Sequence, residues 1–174
     1  CTRLEFNQPH RILSVVAEME VEVQKRDVDT QFESSPAWEK VVQDCLYRGH
    51  ITLPNELLEA LPFRFESPFI HLKHRFSDYA QDCFPSGRPL LLAINALMNK
   101  IFKEFSFDPE ATHIGTPLLE VLERKRGVCQ DFAHLMLACL RSLGLPARYV
   151  SGYLLTNPRS EERRVGKECR EMCR

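Results

Sequence analysis

The stretch KRGVCQDFAHLMLACLRSLGLPARY, Lys125 to Tyr149, constrains this chain more than any other. A glycine leads into a cysteine, then into apolar residues at helical spacing, then into Gly144 and Pro146. That order predicts one helix from Cys129 to about Leu143. Gly144 supplies a left-handed end, and Pro146 discourages continuation. At roughly 100° per residue, Phe132, Met136, Leu140 and Leu143 fall within roughly 60° of Cys129. Such a stripe must pack against another layer, with Cys129 at its edge. The segment ARYVSGYLL, starting at Ala147, reads as a strand.

The same stretch raises a chemical question. A cysteine in a first helical turn sits where unpaired N–H groups and the helix dipole favour thiolate. Gly127 reads as the permissive turn residue before it, and the same N–H groups can form part of an oxyanion hole. Asp131 and His134 point roughly 160° and 140° away from Cys129, so neither is its local partner. His134 reads instead as a packed or hydrogen-bonded helix residue. Cys129, His134 and Cys139 are spaced so that they spread around the helix, which excludes a shared metal site. No metal and no cofactor is expected. A base must therefore come from elsewhere. No histidine follows His134; His10, His50, His71, His74 and His113 precede Cys129 and would have to fold back towards it.

The totals narrow the partners. The formal net charge is −1, so nothing general attracts nucleic acid or an anionic membrane. No apolar run is long enough to cross a bilayer, and no signal peptide is visible. The chain begins at Cys1 without an initiator methionine, so its true N-terminus is expected upstream. Seven cysteines, an odd number at irregular spacing, suit reduced thiols in a cytoplasmic protein better than a disulfide framework. Cys45, Cys83 and Cys139 read as small buried hydrophobes.

Upstream, RILSVVAEMEVEVQ alternates: Val15, Ala17, Met19, Val21 and Val23 share a face opposite Glu18, Glu20 and Glu22. This predicts a half-buried antiparallel strand, which cannot stand alone. Residues 1–30 are therefore expected to end an N-terminal β-domain. Residues 31–66 read as a linker with short helices. One is expected to open at Ser35-Pro36 with Glu39 completing the cap, another to run from Asn55 to Ala60. Further on, Leu91, Ile94, Leu97, Met98, Ile101 and Phe105 recur near helical spacing. GTPLLEVLERKRG is expected to be a helix opened by Thr116-Pro117 and stopped by Gly127. The charged run RSEERRVGKECR, Arg159 to Arg170, has no apolar periodicity. A DNA string resembling a common sequencing-library adapter encodes it residue for residue. Residues 159–174 are therefore expected to be a non-native, adapter-derived tail, with the coding sequence ending near Pro158.

GVCQDFAHLMLACLRSLGLPARYVSGYL closely resembles the core motif of bacterial transglutaminase-like proteins, a superfamily of papain-like cysteine enzymes. SGRPLLLAINALMNKIFKEFSFDPEATHIGTPLLEVLERKRG resembles that family's helical lead-in, and EFNQPHRILSVVAEMEVEV the end of its N-terminal β-domain. The resemblance covers nearly all of Thr2 to Pro158. It implies an α+β chain, with residues 67–158 forming the helical half of a transglutaminase-like core and its first sheet strand. It also implies a Cys-His-Asp triad with Cys129 as nucleophile; the family's histidine and aspartate lie on strands following the one at Ala147. The substrate would be a peptide or protein amide. Hydrolysis would make the parent a peptidase or amidase, and an amine acceptor would make it a transglutaminase; hydrolysis is slightly favoured. This chain, without that histidine and aspartate, is expected to be inactive. The alternative is a non-catalytic binding or scaffold module, since fold is not function.

Overall fold

The computed structural model describes residues 12, 22, 31–46, 53–113 and 115–152. The strand expected over Val15 to Val23 and the charged run after Pro158 lie outside the described residues. Within them the chain is mostly helical with one small parallel sheet. The order is α1 (Trp38–Asp44), α2 (Asn55–Ala60), α3 (His74–Ala80), α4 (Leu90–Glu104), β1 (Ser106–Phe107), α5 (Leu118–Arg124), β2 (Arg126–Gly127) and α6 (Cys129–Ser142).

α6 is the central element, packed by α3, α4 and α5. Its most deeply buried residues are Leu135, Ala138 and Cys139, each with no exposure. The expected stripe of Phe132, Met136 and Leu143 is only partly buried. The reason is that helices cover α6 on several sides, and a helix apolar most of the way round is buried most of the way round. Its C-terminus closes as expected on Gly144 at φ 85°. The Gly144 N–H donates to Arg141 O at 2.9 Å and the Leu145 N–H to Leu140 O at 3.0 Å, the paired bonds of a Schellman ending. On α4, Ala93, Leu97 and Ile101 face the core, while Met98, expected inside, is half exposed.

Capping does not follow the local pattern read from the sequence. α1 begins at Trp38, and no side chain caps it. The Ser35 hydroxyl instead accepts the Leu91 N–H at 3.0 Å, in the first turn of α4. Glu39 accepts the Gly87 N–H at 2.8 Å, and the Trp38 indole donates to Pro85 O at 3.1 Å. Residues 35–39 are thus bound to the loop that launches α4.

A second correction concerns the strand expected at Ala147. Residues 147–152 form no ladder among the described residues. The backbone polar groups of Ala147 have other partners: its N–H donates to Phe63 O at 3.1 Å, and its carbonyl accepts from Arg141. Arg141 is buried on α6 and reaches Ala147 O at 2.9 and 2.7 Å, Phe65 O at 2.9 Å and Ser67 Oγ at 3.1 Å. Arg64 makes a parallel link, to Gly144 O at 2.9 Å and Cys45 O at 2.6 Å. Two guanidiniums therefore fix the exit of α6 to the segments at 45 and 63–67.

Replacing Arg141 by methionine keeps the apolar stem but leaves those acceptors unmet, and is expected to destabilise by about 3 kcal/mol. Arg141→Lys should recover only part of this, because an ammonium lacks the planar fork. Urea unfolding midpoints of the three proteins check both expectations.

Candidate functional site

The start of α6 is delivered by the small sheet. β1 and β2 run parallel, with Ser106 opposite Arg126 and Phe107 opposite Gly127. The Ser106 and Asp108 N–H groups each donate at 2.9 Å, to Lys125 O and Gly127 O. β2 leads to Val128 in extended conformation, φ −108° and ψ 171°, and the helix opens at Cys129. Cys129 is a half-buried thiol, whereas Cys45, Cys83 and Cys139 are buried. Burial pushes those three thiols up, Cys139 to about 12. They are inert packing residues by comparison.

The helix start is held by Asp131. Its Oδ2 accepts the Val128 N–H at 2.8 Å and the Thr112 hydroxyl at 2.6 Å. Val128 has no side-chain acceptor, so the carboxylate at the third helical position supplies the usable half of a capping box. Gly127 is there to admit it: a Cβ at Gly127 would stand 2.6 Å from Asp131 Oδ2. The residue that stops α5 is therefore not Gly127 but Lys125, in the left-handed region at φ 55°. Its ammonium pairs with Glu104 at 2.8 Å and lies 4.2 Å and 4.5 Å over the Tyr79 and Phe105 rings. Those contacts offset the conformation that a non-glycine residue disfavours. The sequence reading missed Asp131 and Thr112. The available signal was an acidic residue three after Val128, but the usual serine or threonine at the cap is absent.

Cys129 keeps the place expected of it, at the first turn. The first N–H bonded within the helix is that of Phe132, to Val128 O at 3.2 Å. The start of a helix carries a partial positive charge that favours an anion. Asp131 competes for that same positive end, with its charge shared between two donors.

His134 is packed. Its ring stacks on Phe69 at 5.9 Å and 9°, and meets Tyr149 edge-on at 5.5 Å. Burial lowers its pKa, and the Asp131 charge offsets this in part. His71, His113 and His134 line a cavity of about 520 Å³ that also reaches Val128, Gln130 and Asp131. Val128 and Gln130 flank the nucleophile position, but Cys129 does not line the cavity. His74 opens α3 and is exposed; His10 and His50 lie outside the described residues. Among the described residues no three His, Cys, Asp or Glu side chains converge as a metal site. No helix among them is long and apolar enough to cross a membrane.

Residues 77–170, more than half of the chain, match the profile of the transglutaminase-like superfamily. An uncharacterized protein of Mycobacterium tuberculosis is 34% identical over 154 residues, covering 87% of this chain and 46% of that protein. An uncharacterized protein of Mycobacterium leprae is 53% identical over 51 residues, 29% of this chain and 18% of that protein. The chain thus spans about half the length of the first of these relatives. The crystal structure of a "Putative Cysteine Protease" from Cytophaga hutchinsonii superposes with a TM-score of 0.47 at 23% identity, over 60% of this chain and 35% of that one.

Asp131→Ala is expected to destabilise by about 1 kcal/mol through loss of the cap. Gly127→Ala should destabilise as well, because its methyl displaces the carboxylate; in the Asp131→Ala background that penalty should shrink, leaving the contact with Cβ of residue 131 at 3.1 Å. Denaturant midpoints of the double-mutant cycle decide this. His134 carries its own pH dependence. Its folded pKa lies below the unfolded value of roughly 6.5, so protons bind the unfolded state first. Stability should be constant above that pH and fall as pH drops below it, less steeply in His134→Phe. Melting temperatures from pH 8 down to about 5 test this.

Proposed function

The chain belongs to the transglutaminase-like superfamily, and from that premise we propose that Cys129 is the nucleophile of a cysteine acyl-transfer enzyme acting on peptide or protein amides. One observation carries this reading: Cys129 is a half-buried thiol at the first residue of the 14-residue helix α6, directly after a strand that fixes its entry. A helix start of this kind favours thiolate and offers N–H groups to a developing oxyanion.

In the proposed reaction the thiolate sulfur attacks the amide carbonyl carbon. The carbon–nitrogen bond breaks, a carbon–sulfur bond forms, and the thiol's proton leaves on the departing amine by way of a histidine. Water then attacks the thioester, releasing a carboxylic acid and regenerating the thiol. Hydrolysis is favoured over transfer to a second amine. On the family resemblance, the histidine and its orienting aspartate belong to strands that follow the one begun at Ala147.

The test uses the complete encoded protein and a mixed peptide library read by mass spectrometry. Cys129→Ala should lower turnover by roughly 1,000-fold or more while leaving the melting temperature near that of the parent. Turnover within about tenfold of the parent in that variant would remove Cys129 from the chemistry.

A further inference from the structure

The cavity beside α6 is built unlike a void left by imperfect packing. Its volume, about 520 Å³, lies inside the range of roughly 300–1,000 Å³ that small-ligand sites occupy. Its interior is apolar and ring-walled: Phe76 and Leu118 are buried, and Phe69 forms a wall on which His134 stacks. Its lining carries Lys73 and the imidazoles of His71, His113 and His134 beside the Asp131 carboxylate; of the run HLKHR, His71 to Arg75, His71 and Lys73 are lining residues. Lys73 pairs with no carboxylate among the described residues, whereas Arg75 pairs with Glu123. His113 joins from the loop before α5, its Nδ1 held 3.1 Å from Thr116 Oγ1. The acidic groups nearby are already engaged. Asp131 accepts two hydrogen bonds, and Glu66 accepts the Leu72 N–H at 2.7 Å and stands 4.0 Å from His71.

We propose that this cavity is a binding site for a ligand with an aromatic body and one carboxylate. The body lies against Phe69, Phe76 and Leu118, and the carboxylate faces Lys73, His71 and His113. Planar walls favour a ring by stacking and edge contacts, and the unpaired ammonium on the rim selects the negative head. The site needs no participation by Cys129, so binding is read without turnover and stands apart from the proposed chemistry. A free aromatic acid and the C-terminal residue of a peptide carry this same chemistry.

Isothermal titration of the 174-residue chain tests it with four probes: phenylbutyrate, phenylbutanol, alanyl-alanyl-phenylalanine with a free C-terminus, and the same peptide amidated. Phenylbutyrate or the free-acid peptide is expected to bind about fivefold tighter than its neutral counterpart. Lys73 is exposed, so Lys73→Glu should fold normally and abolish that preference. Phe69→Ala should weaken acid and neutral probes alike. Tighter binding by the free-acid peptide than by phenylbutyrate assigns the ligand to a peptide terminus, and the reverse assigns it to a free acid. Equal affinity for charged and neutral probes, a preference that survives Lys73→Glu, or no binding by either acid overturns the proposal.

Discussion

The burial of α6 is the constraint from which the rest of this structure follows. With Leu135, Ala138 and Cys139 fully enclosed and helices on several sides, the helix cannot slide or rotate without opening the core. Close-packed interiors tolerate few voids. Each end of α6 must therefore be finished where it emerges. At the C-terminal end, Gly144 turns the chain, and Arg141 and Arg64 satisfy the carbonyls around it. At the N-terminal end, Asp131 receives the Val128 N–H and ties in Thr112, while Gly127 makes room. The position of Cys129 follows from Val128 before it and Asp131 two residues after it, which are tied to each other.

The two parallel strand residues of β1 and β2 contribute little area. Their value is directional: they aim Val128 into the helix, and Thr112 in the loop before α5 bonds Asp131 in its first turn. The cavity lies on that same side, between this loop and the approach to α3. Val128, Gln130, Asp131 and His134 line it, and Cys129 is not among its lining residues.

What could be read from the sequence was what local physics decides. The helix over Asn55–Ala60 is bounded by prolines on both sides, and the end of α6 is marked by Gly144. The position of Cys129 at a helix start was equally legible, because a glycine turn precedes a clear apolar period. The unread features depend on partners distant in sequence. Ser35 looks like a cap for α1, yet its hydroxyl serves α4, 56 positions away. Gly127 looks like a helix stop, yet it is a clearance for Asp131, and the left-handed position goes to Lys125 because Glu104, Tyr79 and Phe105 hold its ammonium. Periodicity placed Met98 inside, where it is half exposed, since it locates a stripe but not the number of neighbours around a helix; the burial of Cys139 was read correctly. Ala147 has strand-forming neighbours, but its own carbonyl and N–H are taken by Arg141 and Phe63.

In the proposed reading, family membership supplies the chemistry of the centre and the helix start its physical basis. Both meet at the ionisation of one thiol, which can be measured without a substrate. In a chain with Cys1, Cys169 and Cys173 replaced by serine, Cys129 is the cysteine open to reagent among those described, the others being buried. The rate of its alkylation by iodoacetamide as a function of pH reports its titration directly. An activated nucleophile should titrate well below the ordinary thiol value of roughly 8.5. A midpoint at or above that value would contradict the assignment of Cys129 as the attacking group.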